Sequence, residues 1–219
     1  MKPTVVSRDF TITAHTGCEN TPDNSIGSVL KAFDSGADIF EIDIRFDENG
    51  VPVLSHDAPK GGEVKLEEVF SLLADNKSML CNLDIKATDD LKAILLCAKK
   101  YDLLDRIFYT GITEAFVESV KKETPEISYY LNTDVASPKD HSSEYISSLV
   151  DKVKNSGAIG LNCYFGNVTE KLIEAFHESD LLVSVWTVNE ETDMIRKMKM
   201  KPDNITTRKP SLLKTISET

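Results

Sequence analysis

A single (β/α)8 barrel, an α/β fold of the TIM-barrel type, is the fold class this sequence predicts. Short β-branched or aromatic segments alternate with helical ones about eight times. No long linker or break in composition divides the chain, so residues 1–219 read as one domain. The length suits that domain, since one such barrel occupies roughly 200–250 residues.

The alternation is legible from the first strand to the last helix. Residues 10–16 (FTITAHT) and 39–46 (IFEIDIRF) have strand character, and SIGSVLKAFDSG between them is helical and stops at Gly36. The turn DENG at 47–50 leads into VPVLSHD, a further short strand. KLEEVFSLLADN (65–76) is helical, and SMLCNLDIK (78–86) returns to strand. TDDLKAILLCAKKY (88–101) opens on a threonine cap and an acidic first turn, both suited to a helix N-terminus. Strand RIFYTGI, helix 113–123, strand ISYYLNT, helix 142–154 and strand AIGLNCYFG follow. Helix TEKLIEAFHESD, strand LLVSVWTV, helix EETDMIRKMKM, strand NITTR and a helix opened by Pro210 complete the pattern.

Composition narrows the function. A formal charge of −11 argues against nucleic acid as the partner, because phosphate backbones select basic surfaces. A small phosphodiester remains compatible, provided a bound cation reverses the local field. No GxGxxG or GxxxxGK loop supports a nucleotide fold. The opening MKPTVVSRDF lacks the apolar core of a signal peptide, and no run approaches the roughly 18 apolar residues of a membrane span. Cys18, Cys81, Cys97 and Cys163 fit neither a zinc site nor a compact disulfide scaffold, so free thiols in the cytoplasm are expected. Oligomeric state is not legible.

In such a barrel, chemistry collects at the C-terminal ends of the strands. Strand alternation puts Glu41 and Asp43 on one face, and Asn82, Asp84 and Lys86 on one face. Clustered carboxylates repel unless a cation or proton intervenes, and oxygen ligands suit Mg²⁺ or Ca²⁺. Solvent-facing acids, or a structural Asp84–Lys86 pair, account for the same letters. His15 (AHTG) and His56 (SHD) each close a short apolar strand, so both reach one rim, where imidazoles serve as acid and base. His141 and His177 fall in a polar loop and on a helix, and read as surface residues.

These residues carry a resemblance. AHTG followed by PDNSIGSVLKAFDSGADIFEIDIRFDENGVPVLSHD resembles the glycerophosphodiester phosphodiesterase family, whose pattern runs HRG, PENT, helix, GAD-x-IE-x-D, DG-x-PVV-x-HD. NLDIK resembles that family's IEIK strand, SVWTVN its WTVN strand and NITTRKP its closing ITD-x-P. The resemblance implies a metal-dependent phosphodiesterase that yields an alcohol and glycerol 3-phosphate. His15 and His56 would be its acid–base pair, and Glu41, Asp43 and Asp84 the ligands of Mg²⁺ or Ca²⁺. Lys86 would contact phosphate, and Trp186 would line the pocket, although a core aromatic in a parallel strand fits its position better than direct substrate contact. In this family a glycerol hydroxyl attacks phosphorus, and water opens the resulting cyclic phosphate.

Departures from the pattern are informative. Thr16 stands where the family has arginine, Asp84 where it has glutamate, and Arg208 where it has aspartate. Asp23-Asn24 replaces Glu-Asn, and its distance of 18 positions from Glu41 keeps the family register. Because the first and last strands of a closed barrel are neighbours, Arg208 is expected to supply the guanidinium missing at position 16. Only 27 residues separate His56 from Asp84, so the connection between the second and third barrel strands is short and carries no large insertion. An open rim of that kind also suits a lysophospholipid or inositol-type diester. A barrel of the same descent that has lost turnover, and binds a phosphorylated ligand or partner, is the second reading. A glycoside hydrolase would use paired carboxylates but would leave the two histidines and Lys86 unexplained.

Overall fold

The computed structural model describes residues 10–218. Of the N-terminal decapeptide considered for a signal sequence, all but Phe10 lies outside the described residues. The strands are β1 (Thr11–Ala14), β2 (Ile39–Phe46), β3 (Pro52–Leu54), β4 (Leu80–Ile85), β5 (Ile107–Ile112), β6 (Tyr129–Asn132), β7 (Gly160–Tyr164), β8 (Leu182–Trp186) and β9 (Asn204–Thr207). The helices are α1 (Ile26–Asp34), α2 (Leu66–Asp75), α3 (Leu91–Lys100), α4 (Val117–Glu123), α5 (Ser143–Ser156), α6 (Glu170–Glu178), α7 (Glu191–Met200) and α8 (Pro210–Ser217).

Every strand except β3 is parallel to its neighbours, and β1 pairs with both β9 and β2, so eight parallel strands close into a barrel. The segment VPVLSHD, read as one more strand of the alternation, is the antiparallel exception. Its place follows from unequal strand lengths. β1 ends at Ala14, opposite Phe40, while β2 runs on to Phe46. Ile44 still pairs with Ile85 of β4 on one side, and its other edge takes Leu54 of β3. The turn between them is closed by Asp47, whose Oδ1 accepts from the backbone N–H groups of Asn49 and Val51 at 2.8 and 2.9 Å. β3 therefore runs back toward the mouth, and the Ser55 N–H reaches the Asp43 carbonyl at 3.1 Å.

Two apolar clusters hold the barrel. The larger fills the shell between the outward faces of the strands and the helices, with Val69, Phe70, Ile94, Leu172 and Phe176 among its fully buried members. The smaller joins Ile39, Phe108, Tyr130 and Leu182 from β2, β5, β6 and β8, and plugs the barrel floor. Phe108 and Tyr130 meet there edge to face, with centroids 5.8 Å apart. Above the plug the inward residues turn polar, and several pair with one another. Thr13 donates to Asn204 Oδ1 at 2.7 Å, and Asn204 Nδ2 donates to Ser184 Oγ at 3.0 Å. Unpaired, such buried groups would each cost about 1–3 kcal/mol.

Side-chain caps fix several helix starts. Ser25, Ser142 and Thr169 each accept from the backbone N–H three residues on, a contact typically worth about 1 kcal/mol. The expected threonine cap of α3 moves to Asp90, whose Oδ1 accepts from Ala93 N–H at 3.3 Å. The two histidines read as surface residues instead make tertiary contacts. His141 lies between Thr169 Oγ1 and the Ala136 carbonyl, and His177 bonds Asp203 at 2.9 Å. All four cysteines are free thiols. Among the described residues no helix is long and apolar enough to cross a membrane.

Candidate active site

The mouth of the barrel opens into a cavity of about 590 Å³, bordered by His15, Glu41, Asp43, His56, Asp84 and Lys86 among others. Glu41 and Asp43 lie two apart on β2, and Asp84 sits opposite Asp43 in the β2–β4 register. The three acids offer carboxylate oxygens that all lie within 4.8 Å of one another. Glu41 and Asp43 are each only 4% exposed. Burial, and then the charges of Asp43 and Asp84, push Glu41 well above the usual carboxylate range. Burial likewise raises Asp84, against the opposing pull of Lys86.

Each side chain is placed by its neighbours. Glu41 Oε2 accepts from the Thr16 N–H at 2.9 Å. Asn24 grips Asp43 twice, donating Nδ2 to Oδ2 at 2.8 Å and accepting the Asp43 N–H at 3.0 Å. Thr16 Oγ1 in turn accepts from Asn24 N–H at 2.6 Å. Lys86 Nζ bridges Asp43 Oδ1 at 3.0 Å and Asp84 Oδ2 at 2.7 Å. Burial alone would lower that ammonium's pKa, but Asp84 and Asp43 more than offset it and hold it above its ordinary value. Gly111 on β5 has φ +73°, and a Cβ there would collide with Asp84 Oδ1 and the Ile85 backbone.

Two carboxylate oxygens remain unmatched among the described residues: Glu41 Oε1 and Asp84 Oδ1 are buried with no hydrogen-bond partner. Three carboxylates with ligand oxygens within 4.8 Å of one another, two of them carrying an oxygen without a partner, are the donor set that a hard divalent cation takes. The residues present therefore fit such an ion.

His15 follows β1 and is partly buried. Its Nδ1 lies 2.8 Å from the Thr16 carbonyl and 3.8 Å from Glu41 Oε2. Desolvation by burial lowers its pKa below the ordinary histidine value. His56 stands at the cavity margin, 67% exposed, with Nδ1 3.0 Å from Asp57 Oδ1. Its backbone carbonyl accepts from Arg45 Nε at 2.8 Å. It reaches this rim because β3 doubles back, not because it ends a barrel strand.

Arg208, just past β9, meets Asp23 in a two-pronged pair at 2.6 and 3.2 Å. Both border the cavity with Thr16. The guanidinium thus comes from the last strand to the β1 end, and its immediate partner is Asp23. A Cβ on Gly17, at φ +73°, would collide with both members of the pair. Trp186 is not a core aromatic: it is 38% exposed at the cavity edge and meets Tyr164 edge to face, centroids 6.4 Å apart. The far wall went unread in the sequence. Thr110 donates to Asn82 Oδ1 at 2.9 Å, and Asn162 donates to Asn132 Oδ1 at 3.1 Å. Equal strand parity in YYLN and GLNCY is the signal that marks these asparagines as inward-facing.

A closed parallel barrel with a carboxylate cluster and histidines at the C-terminal mouth has the layout of a TIM-barrel enzyme. The Glycerophosphoryl diester phosphodiesterase family profile matches residues 64–212. The chain belongs to that family and is a phosphodiesterase. It is 25% identical over an alignment 244 positions long to a glycerophosphodiester phosphodiesterase of Caldanaerobacter subterraneus subsp. tengcongensis, covering 92% of this chain and 95% of that protein. Among solved structures, a barrel from Silicibacter pomeroyi superposes with TM-score 0.80 at 18% identity, over 95% of this chain and 93% of that one. An Oleispira antarctica phosphodiesterase in complex with the product sn-glycerol-3-phosphate superposes with TM-score 0.79 at 17% identity, over 95% and 97%.

Proposed function

We propose that this chain hydrolyses glycerophosphodiesters to an alcohol and glycerol 3-phosphate, with His15 and His56 as acid–base pair and Mg²⁺ or Ca²⁺ held by Glu41, Asp43 and Asp84. The observation that carries the reading is the convergence of those three carboxylates, two of them with an unpartnered buried oxygen, beside His15. The relative from Caldanaerobacter bears the same activity in its name, and the Oleispira barrel holds the same product.

His15 is suited to be the base. Its lowered pKa keeps it neutral near pH 7, and the Thr16 carbonyl, accepting from Nδ1–H, leaves Nε2 as the lone-pair nitrogen. A glycerol hydroxyl gives its proton to that nitrogen and attacks phosphorus. His56, hydrogen-bonded to Asp57, protonates the departing alcohol oxygen. The roles then reverse: water loses a proton to one histidine, and the ring oxygen of the cyclic phosphate gains one from the other. Lys86 keeps Asp43 and Asp84 together and places an ammonium toward the phosphate. Arg208 adds a second cation at the rim. A divalent cation bound by the three acids supplies Lewis-acid neutralisation of the non-bridging oxygens.

Product analysis tests the reading. Glycerophosphocholine is expected to yield choline and glycerol 3-phosphate, and His15→Ala to lower kcat by about 10²–10⁴-fold. Phosphocholine as product, or an unimpaired His15→Ala enzyme, would overturn it.

A further inference from the structure

The two histidines at the mouth are held in different ways. His15 is partly buried, and its ring bonds the Thr16 carbonyl and approaches Glu41. The His56 side chain is 67% exposed, so packing does not fix where its ring stands. It belongs to the segment 55–63 after β3, which forms neither helix nor strand. That segment is closed at its base by the Leu54 N–H on the Val64 carbonyl at 2.8 Å. Its far half folds on itself, with the Glu63 carboxylate accepting from the Lys60 and Gly61 N–H groups at 2.6 and 3.0 Å.

The bonds inside the segment give it shape without giving it a place. Ser55 Oγ donates to the Asp57 carbonyl at 2.8 Å, and His56 Nδ1 lies 3.0 Å from Asp57 Oδ1. Both travel with the segment if it shifts. The Ser55 N–H does reach β2, at the Asp43 carbonyl, but it stops one residue short of the histidine. The bond that ties His56 itself to a barrel strand is the one from Arg45 Nε to its backbone carbonyl, at 2.8 Å. Among the described residues no other hydrogen bond joins His56 to a strand. Arg45 lies on β2 two positions beyond Asp43 and four beyond Glu41, so one strand carries two of the candidate ligands and the tether of the acid. A guanidinium suits that task, because its bond is charge-assisted and its planar head loses little freedom in making it. Asp57 is held below the usual carboxylate range, first by its hydrogen bond to His56 and in smaller part by Arg45.

We propose that Arg45 is a positioning residue for His56, fixing the acid in place relative to the carboxylate centre. The proposal rests on the acid–base reading above. In the step concerned, the glycerol oxygen forms its bond to phosphorus as the bond to the departing alcohol oxygen breaks. His15 takes the proton of the attacking hydroxyl, and His56 gives its own to the departing oxygen. Arg45 does not border the cavity, so it acts through the backbone of residue 56.

Dependence on the leaving group separates such positioning from a general loss of structure. Glycerophosphocholine releases an alkoxide that needs a proton, whereas the p-nitrophenyl ester of glycerol 3-phosphate releases a phenolate stable in neutral water. Choline and p-nitrophenolate release are followed in single turnovers, with Mg²⁺ or Ca²⁺ supplied, for the parent chain, Arg45→Met, Arg45→Lys and His56→Ala. Arg45→Met is expected to lose at least about tenfold more on glycerophosphocholine than on the aryl diester. Arg45→Lys keeps a charged donor and should show the same bias in smaller measure. His56→Ala should show it in full, at about 10²-fold or more. Should Arg45→Met fail to fold, the ratio in Arg45→Lys decides the question. Equal losses on the two substrates in the Arg45 variants, or none, overturn the proposal while the His56→Ala bias leaves the acid reading standing. Equal losses in His56→Ala refute the acid reading itself, and the proposal with it.

Discussion

Arg208 and Asp23, 185 positions apart in sequence, are joined at the barrel mouth by two guanidinium–carboxylate hydrogen bonds of 2.6 and 3.2 Å. Both positions depart from the family pattern, and they depart as contacting partners. The pair bridges the end of β9 and the loop after β1, where the two outermost strands of the chain close the barrel. Because it is partly exposed, its contribution to stability is small, about 1 kcal/mol or less. Arg208→Ala should therefore raise KM for the diester by at least about tenfold while leaving Tm almost unchanged.

Thr16→Ala should show the opposite split. Thr16 is 2% exposed, and its hydroxyl accepts from the Asn24 N–H. Removing it leaves a donor unmatched and loosens the Asn24 grip on Asp43. The cost should be about 1–2 kcal/mol in stability, with the loss of activity appearing in kcat more than in KM. Denaturation and steady-state kinetics on both variants check the contrast, and identical profiles would contradict it.

Lys86→Met removes the one ammonium between Asp43 and Asp84. Stripping one member from a buried ion cluster costs on the order of 3 kcal/mol. The metal-free variant should be destabilised by that order in urea titration, and Mg²⁺ or Ca²⁺ should recover part of the loss. Equal stability of variant and parent without metal would count against the cluster as described.

Gly111→Ala tests the packing behind Asp84. At φ +73° a side chain is strained, and here it would also meet Asp84 Oδ1 and the Ile85 backbone. Destabilisation of about 1–3 kcal/mol and a large drop in kcat are expected together. Full activity would show that Asp84 is free to move.

Cation binding should depend on pH with a definite sign. Glu41 and Asp84 have raised pKa values in the folded chain, so it holds their protons more tightly than the unfolded chain does. Without metal, these two groups cost stability as pH rises from the ordinary carboxylate range through their raised values. A cation binds only once those protons leave. The rise in Tm on adding Mg²⁺ or Ca²⁺ should therefore grow as pH climbs above the ordinary carboxylate range. An increment that does not change with pH would contradict the assignment of these acids as ligands.

Much of the barrel was legible because its strands are short, apolar and separated by amphipathic helices. Glu41 with Asp43, and Asp84 with Asn82 and Lys86, could each be assigned to one face of their own strand because parity is a local property, and the three acids converge in space. The direction of β3 was not legible. Nothing within VPVLSHD tells a parallel from an antiparallel strand; the difference lies in β2 outlasting β1. The Arg208–Asp23 pair was likewise hidden, since a contact across nearly the whole chain leaves no local pattern. Asn132 and Asn162 were overlooked because a neutral amide at a strand end reads like any loop-edge residue. Their meaning comes from their mutual bond inside the barrel.

The most direct measurement is turnover of glycerophosphocholine by enzyme stripped with chelator and then resupplied with Mg²⁺ or Ca²⁺, for the parent chain and for Glu41→Gln. Glu41 is only 4% exposed and carries one of the two unpartnered carboxylate oxygens. Activity should vanish in chelator, return with at least one of the two ions in the parent, and stay absent or strongly reduced in Glu41→Gln. Undiminished turnover in chelator, or full recovery by Glu41→Gln, would contradict a cation held at Glu41, Asp43 and Asp84.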